Sequence, residues 1–250
     1  MRLGSDPEVF LIDKMGKHIS ALGYINADKW HPLQIPDMAP GFTLQEDNVA
    51  LEYGIPPAAS AEEFSQYLEA VMQRSLKELP GLSFSKLSCH VFTPDQMQNP
   101  RAHVFGCEPD YNAWTKDYNP SPQPPHPFMR SAGGHIHVET KENPYDVVKA
   151  MDLFLGVPSV LMDEGEQRKK LYGKAGAHRV KSYGVEYRTL SNFWIFTPEL
   201  RAWVWRNTEL ALANLGWANE FQEKIIAAID FNDKEIAEQL VKECMLEALV

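Results

Sequence analysis

Short stretches of this chain place acids, imidazoles and a guanidinium two residues apart, the spacing at which side chains on a β-strand share a face. Asp6 and Glu8 share one face of a first strand, and Val9 and Leu11 take the other. Ahead of Pro56, Asn48 and Glu52 face one way while Val49, Leu51 and Tyr53 face the opposite way. In Gly133-Gly134-His135-Ile136-His137-Val138 the imidazoles fall together, opposite Ile136 and Val138. In Val185-Glu186-Tyr187-Arg188 the carboxylate and the guanidinium align. If these faces converge, Asp6, Glu8, Glu52 and Glu186 crowd negative charge into one concavity, which like-charge repulsion forbids without cations. An oxygen-rich set with one or two imidazoles suits magnesium or manganese better than zinc, which normally recruits thiolates or a compact group of histidines. Arg168, Lys169, Lys170, Lys174, Arg179, Lys181 and Arg188 follow nearby, and such groups clamp a transferring phosphoryl group and neutralise its developing charge. An anionic site with a cationic rim implies metal-bound ATP.

Each piece also has a plainer reading. An isolated Asp-x-Glu on a strand is commonly a solvated edge, Glu186-Tyr187-Arg188 alone reads as a surface ion pair, and the basic run at Arg168 serves solvated charge as readily as phosphate. His-x-His after glycines is the stronger signal, because paired imidazoles on one face often bind metal. Trp194, Trp203 and Trp205 read as helical core, and Cys89 and Cys107 as packing.

The elements that must position these residues begin with strands at Val9–Ile12, His18–Ile25, Phe42–Leu44 and Val49–Tyr53. A helix follows from about Ala61 to Leu79, capped by Ser60 and ended by Pro80-Gly81. Strands are expected at Phe84–Phe92, His135–Glu139 and Gly184–Leu190, with a helix at Pro144–Asp163 between the last two. From Thr197 onward the pattern is helical, broken near Gly216 and Asn232. Between Thr93 and Phe128 prolines crowd, leaving room for a short regular piece at most near His103–Glu108; a loop this long is a functional lid or a disordered segment. The pattern implies a sheet with one polar face and one helix-covered face.

At 250 residues with 44% hydrophobic content, the chain is long enough for one sizeable core, and a single domain spanning 1–250 is expected, with its helical part at about 197–250. A formal charge of -10 argues against nucleic acid as the main partner, since phosphate contacts need a basic face. Cys89, Cys107 and Cys244 show no paired metal-ligand spacing. No signal peptide or membrane-length apolar run is found, so a cytoplasmic setting is expected, the host cytoplasm if the gene is a phage's.

The motifs together resemble a known family. Gly4-Ser5-Asp6-Pro7-Glu8-Val9-Phe10 looks like the opening strand of glutamate-cysteine ligases, with Asp6 in place of a usual glutamate. Asn48-Val49-Ala50-Leu51-Glu52 before Pro56-Pro57 is similar to their second acidic strand. Gly133-Gly134-His135-Ile136-His137 looks like the glutamine synthetase segment, and Glu186-Tyr187-Arg188 like the late Glu-x-Arg. With Arg168 to Gly176 ahead of the latter, the set from Leu3 to about Asn192 looks most like the phage-type carboxylate-amine ligases of the glutamine synthetase superfamily. The helices after Thr197 carry no motif of that family.

The resemblance implies an α+β, glutamine synthetase-like catalytic domain: a largely antiparallel sheet whose polar face is the active site. It implies an ATP-dependent carbon-nitrogen ligase with magnesium or manganese, two ions, forming an amide through an acyl phosphate. Asp6, His135 and Glu186 would hold one metal, and Glu8 and Glu52 the other, Glu52 also serving the reacting centre. Glu108 is a weaker candidate ligand. Arg179 and Arg188 would bind γ-phosphate or substrate carboxylate. His137, Arg168, Lys174 and Arg179 would contact nucleotide. The partners expected are small-molecule or peptide carboxylates and amines, with no nucleic acid and no membrane; identity of the substrates and oligomeric state stay open. Glu186→Ala and His135→Ala are expected to abolish ATP turnover while leaving the fold intact, because each removes a metal ligand and little core packing. The rivals are a zinc amidohydrolase, which would need further histidines at strand ends, a guanidino-kinase-like phosphotransferase, and a binding protein that has lost catalysis.

Overall fold

The computed structural model describes residues 1–103 and 110–249. Cys107, Glu108 and the short piece expected after His103 lie outside the described residues. The strands are β1 (Arg2–Ser5), β2 (Glu8–Ile12), β3 (His18–Ile19), β4 (Leu33–Gln34), β5 (Thr43–Asp47), β6 (Ala50–Ala58), β7 (Ser83–Ser85), β8 (Cys89–Val91), β9 (Tyr111–Asn112), β10 (Asp117–Tyr118), β11 (Met129–Ser131), β12 (Ile136–Glu139), β13 (Ala177–Lys181) and β14 (Gly184–Tyr187). The helices are α1 (Ala61–Ser75), α2 (Pro144–Met151), α3 (Val157–Met162), α4 (Pro198–Ala213), α5 (Gln222–Asp230) and α6 (Lys234–Glu243). Among the described residues, no helix is long and apolar enough to cross a membrane.

A mixed sheet-and-helix architecture is therefore observed, consistent with α+β, and its main sheet runs β10-β9-β13-β14-β12-β1-β6-β2-β3. The pairings along it are antiparallel. Leu3, Leu51, Tyr53, Ile136, Val138, Val185 and Tyr187 turn to one side and enter the core with Phe64 and Leu68 of α1, Val147 and Val148 of α2, and Trp203 and Val204 of α4. Their strand neighbours Glu52, His137 and Glu186 take the other face, as period-two alternation requires. The tryptophans read as core are buried.

Local chemistry explains where element boundaries depart from expectation. Asp6 and Glu8 do not share a strand: Pro7, which has no N–H for the ladder, separates β1 from β2. Ser60 caps α1 by accepting from the Glu63 N–H at 3.1 Å, and Glu63 reaches back to the Ala59 N–H at 2.6 Å. The helix stops at Ser75, short of Leu79, and turns carry the chain to Pro80. The strand expected over Phe84–Phe92 is two, β7 pairing with β2 and β8 with β11. The strand expected over His18–Ile25 covers His18–Ile19.

The helix expected over 144–163 contains a π turn at Asp152–Gly156. Pro158 cannot donate to the preceding turn and its ring would crowd it, so the helix widens there. The turn aims Asp152 into the back of the sheet. Its carboxylate accepts from the Gly176 N–H at 2.6 Å, the Trp114 indole at 2.7 Å, the Tyr187 hydroxyl at 2.9 Å and the Thr189 hydroxyl at 3.2 Å.

Burial pushes the Asp152 carboxyl up to about 7, against these hydrogen bonds. A carboxyl whose folded pKa is raised contributes stability that is complete below its unfolded value and is lost as pH rises through the folded one. Wild type should therefore lose stability relative to Asp152→Asn as pH rises from about 4 to about 7, by up to about 1.4 kcal/mol per pH unit. Urea denaturation of both proteins across that range checks the sign.

Candidate functional site

The polar face is assembled at the centre of the sheet, where β12 lies between β1 and β14. Register sets Glu186 beside His137 on one side and beside Arg179 on the other. It also sets Glu8 beside Glu52. Asp6 leaves the end of β1 with its Oδ1 at 3.0 Å from His137 Nε2 and 3.3 Å from His135 Nδ1. One ligand atom from each of Asp6, His137 and Glu186 lies within 4.8 Å of the others. His135 stands beside this group, with Nδ1 at 3.8 Å from Glu186 Oε1 and 3.2 Å from Arg188 Nη1.

The glycines of Gly133-Gly134-His135 have a steric explanation. A Cβ on Gly133 would lie 2.4 Å from His135 Nε2 and 3.0 Å from Arg168 Nη2, and one on Gly134 would lie 2.4 Å from the Ser191 carbonyl and the Trp194 Nε1. Gly133 also exchanges backbone contact with Glu8: its N–H donates to Glu8 Oε2 at 2.7 Å and its carbonyl accepts the Glu8 N–H at 2.8 Å. Gly133→Ala should thus push His135 and Arg168 aside and weaken manganese binding roughly 10-fold to 100-fold, the effect common for displaced supporting groups. A manganese titration with far-UV circular dichroism checks that the loss is local.

Cations surround Glu186. Arg188 contacts its Oε1, Lys181 Nζ lies 2.7 Å from Oε2, and Arg179 Nη1 lies 4.0 Å from Oε1. Arg188 also reaches Asp110, Nε to Oδ1 at 2.8 Å. Burial and the Asp6 charge oppose ionisation of Glu186, yet Arg188, His135 and His137 draw its pKa down to about 2. Burial likewise opposes the Asp6 charge, but His137 and His135 hold its carboxyl well below the ordinary range. The reciprocal effect raises His137: burial lowers its pKa, and Asp6 more than reverses that.

Compensation is weaker for Glu52 and Asp47. Burial first, then Asp6, Asp47 and Glu8, push Glu52 well above the ordinary carboxylate range. Burial and Glu8 push Asp47 up to about 6. Carboxyls whose charged form is disfavoured by burial and by one another are a donor set whose ionised form a cation would favour. In the first group, Asp6 Oδ1, His137 Nε2 and Glu186 Oε2 are buried and make no aligned hydrogen bond. Both observations fit metal ions.

The structure thus brings Asp6, Glu186, His135, His137, Arg179 and Arg188 together, with Glu8 and Glu52 on the adjoining strands. A cavity beside them is lined by Glu8, Asp47, His135, Arg168 and Arg188. Arg168 is buried, donating from Nη1 to the Thr189 carbonyl at 3.0 Å. Lys174 turns away, with Nζ 3.0 Å from the Asp230 carbonyl, although its residue lines a neighbouring cavity whose other wall is the proline-rich segment Pro120–Gln123. Residues not singled out from the sequence are Asp47, Asp110 and Tyr183, and Lys181 was read only as part of the basic run. Alternation in His178-Arg179-Val180-Lys181 carried a signal for β13 and for Lys181; Asp110 sits in the proline-rich stretch, where no period exists to read.

No curated protein matches the chain. Residues 123–239 match the family model described as Phage phiEco32-like COOH.NH2 ligase-type 2. The matched stretch contains His135, His137, Arg168, Lys174, Arg179, Glu186 and Arg188, whereas Asp6, Glu8 and Glu52 precede it. Residues 123–239 are thus similar to the phage-type carboxylate-amine ligases that the motifs of the chain resemble.

Proposed function

We propose that the protein joins a carboxylate to an amine using ATP and divalent metal, through an acyl phosphate. The observation that carries this reading is the Asp6, His137 and Glu186 group set within the cations Arg179, Lys181 and Arg188. Asp6, His137 and Glu186 would hold one ion, and Glu8 and Glu52 a second, so the ligand role implied for His135 passes to His137. Bound metal would supply Lewis-acid neutralisation of phosphate and carboxylate oxygens.

The chain's own groups then have definable tasks. Arg188, held between Glu186 and Asp110, places positive charge where the transferring phosphoryl group develops negative charge. Arg179 and Lys181 extend that charge along β13. Arg168, at the wall of the cavity, supplies positive charge for the substrate carboxylate. Asp47, whose carboxyl is pushed up to about 6 by burial and Glu8, lines that cavity and would take a proton from the attacking amine. The substrate carboxylate oxygen attacks the γ-phosphorus and ADP leaves; the amine nitrogen then attacks the acyl carbon, phosphate leaves and the amine proton is lost.

Incubating the protein with magnesium, ATP, a panel of carboxylates and hydroxylamine tests the chemistry. A hydroxamate formed in step with ADP is the expected product. With an 18O-labelled carboxylate, one label should appear in phosphate. ADP release with no hydroxamate and no label transfer across the panel would contradict the acyl phosphate.

A further inference from the structure

We propose that Tyr183 is a positioning residue for metal binding: its hydroxyl, set against His137 Nδ1, accepts the Nδ1 proton and leaves Nε2 for the ion. This rests on the metal reading of Asp6, His137 and Glu186 given above.

The Tyr183 hydroxyl lies 2.5 Å from His137 Nδ1, and the rings stack with centroids 5.9 Å apart and planes at 15°. On the opposite edge of the imidazole, Nε2 faces Asp6 Oδ1 at 3.0 Å. Nε2 makes no aligned hydrogen bond with that carboxylate, so its lone pair is open to an ion held by Asp6. When an ion takes the Nε2 lone pair, the neutral imidazole carries its proton on Nδ1. This proton needs an acceptor, and ligand histidines are ordinarily fixed by such a partner. Among the described residues, the hydroxyl of Tyr183 is the group hydrogen-bonded to Nδ1.

The placement is built into the hairpin between β13 and β14. Tyr183 sits in its turn, and its carbonyl accepts the Thr140 N–H at 3.0 Å, tying the turn to the end of β12. Gly184 follows with φ +148°, and a Cβ there would lie 2.2 Å from the Val138 carbonyl. Only glycine allows the turn to close onto β12 so tightly that residue 183 reaches back over His137. Tyr183 is 40% exposed, so core burial does not account for it.

The experiment compares wild type, Tyr183→Phe and His137→Ala by titration with manganese, reading free ion by electron paramagnetic resonance, with circular dichroism as the check on folding. In parallel, 15N spectra of histidine-labelled protein with magnesium read which ring nitrogen of His137 carries the proton. The expected result is manganese affinity reduced roughly 10-fold in Tyr183→Phe, with the His137 proton redistributed towards Nε2, and a larger loss in His137→Ala. Wild-type affinity and an unchanged ring spectrum in Tyr183→Phe would overturn the role of Tyr183 while leaving the metal site standing. Failure of wild type to bind manganese, or equal binding by His137→Ala, would overturn both.

Discussion

Glu186→Gln is expected to abolish metal-dependent turnover, by roughly 100-fold or more, since loss of a ligand removes several kcal/mol of charge stabilisation. Glutamine keeps the volume and a carbonyl oxygen but not the charge that opposes Arg188 and Lys181. Sequence reasoning expected Glu186→Ala to leave the fold intact, and burial changes that expectation. Glu186 is 0% exposed, packed against buried Arg188 and within 2.7 Å of Lys181 Nζ. Truncating one member of a buried ion pair costs about 3–5 kcal/mol, because the partner charge is left uncompensated. Both variants should therefore lower stability as well as activity, glutamine less than alanine because it adds no cavity and keeps a carbonyl oxygen against the cations. Chemical denaturation beside an ADP-release assay separates the effects; full turnover in Glu186→Gln would contradict the assignment.

Arg188→Lys is expected to be nearly as damaging, although it keeps the charge. The guanidinium spans two acids at once, with Nε at 2.8 Å from Asp110 Oδ1 and Nη1 against Glu186 Oε1, and also approaches His135 Nδ1 at 3.2 Å. An ammonium is a point donor on a flexible stem and does not reproduce that planar fork. Lysine should satisfy one acid and release the other, lowering turnover roughly 100-fold, comparable to loss of a preorganised charge donor. Arg188→Ala should add a stability loss of about 3–5 kcal/mol. Steady-state kinetics of both variants, with denaturation midpoints, distinguish a phosphate clamp from a structural ion pair: the latter predicts that the stability loss accounts for the activity loss.

The parts of the site that lie on regular strands were legible in sequence because alternation is local. His135, His137, Glu186 and Arg188 each have apolar neighbours that bury, and the period of two fixes which side faces the site. Asp6 and Glu8 were legible as acids but not as members of separate strands, since the break depends on Pro7 and on pairing with β12 and β6 at long range. Which imidazole lies nearer which acid was not legible either. Both imidazoles approach Asp6 and Glu186, His135 Nδ1 at 3.3 Å and 3.8 Å, and the nearness of Arg188 to His135 Nδ1 at 3.2 Å is a contact that only the sheet order creates. The π turn had a local signal in Gly156 and Pro158, but the role of Asp152 was hidden, because its partners come from Trp114, Gly176, Tyr187 and Thr189, distant in the chain. The helices after Thr197 were readable as helices, and packing under the sheet is what their sequence explains.

Calorimetric binding of ATP to wild type and to Glu186→Gln, with and without magnesium, tests the central claim most directly. Binding should require magnesium in wild type and be lost in Glu186→Gln, with the variant still folded. Binding of equal strength in both proteins, or none to wild type with any divalent metal, would contradict it.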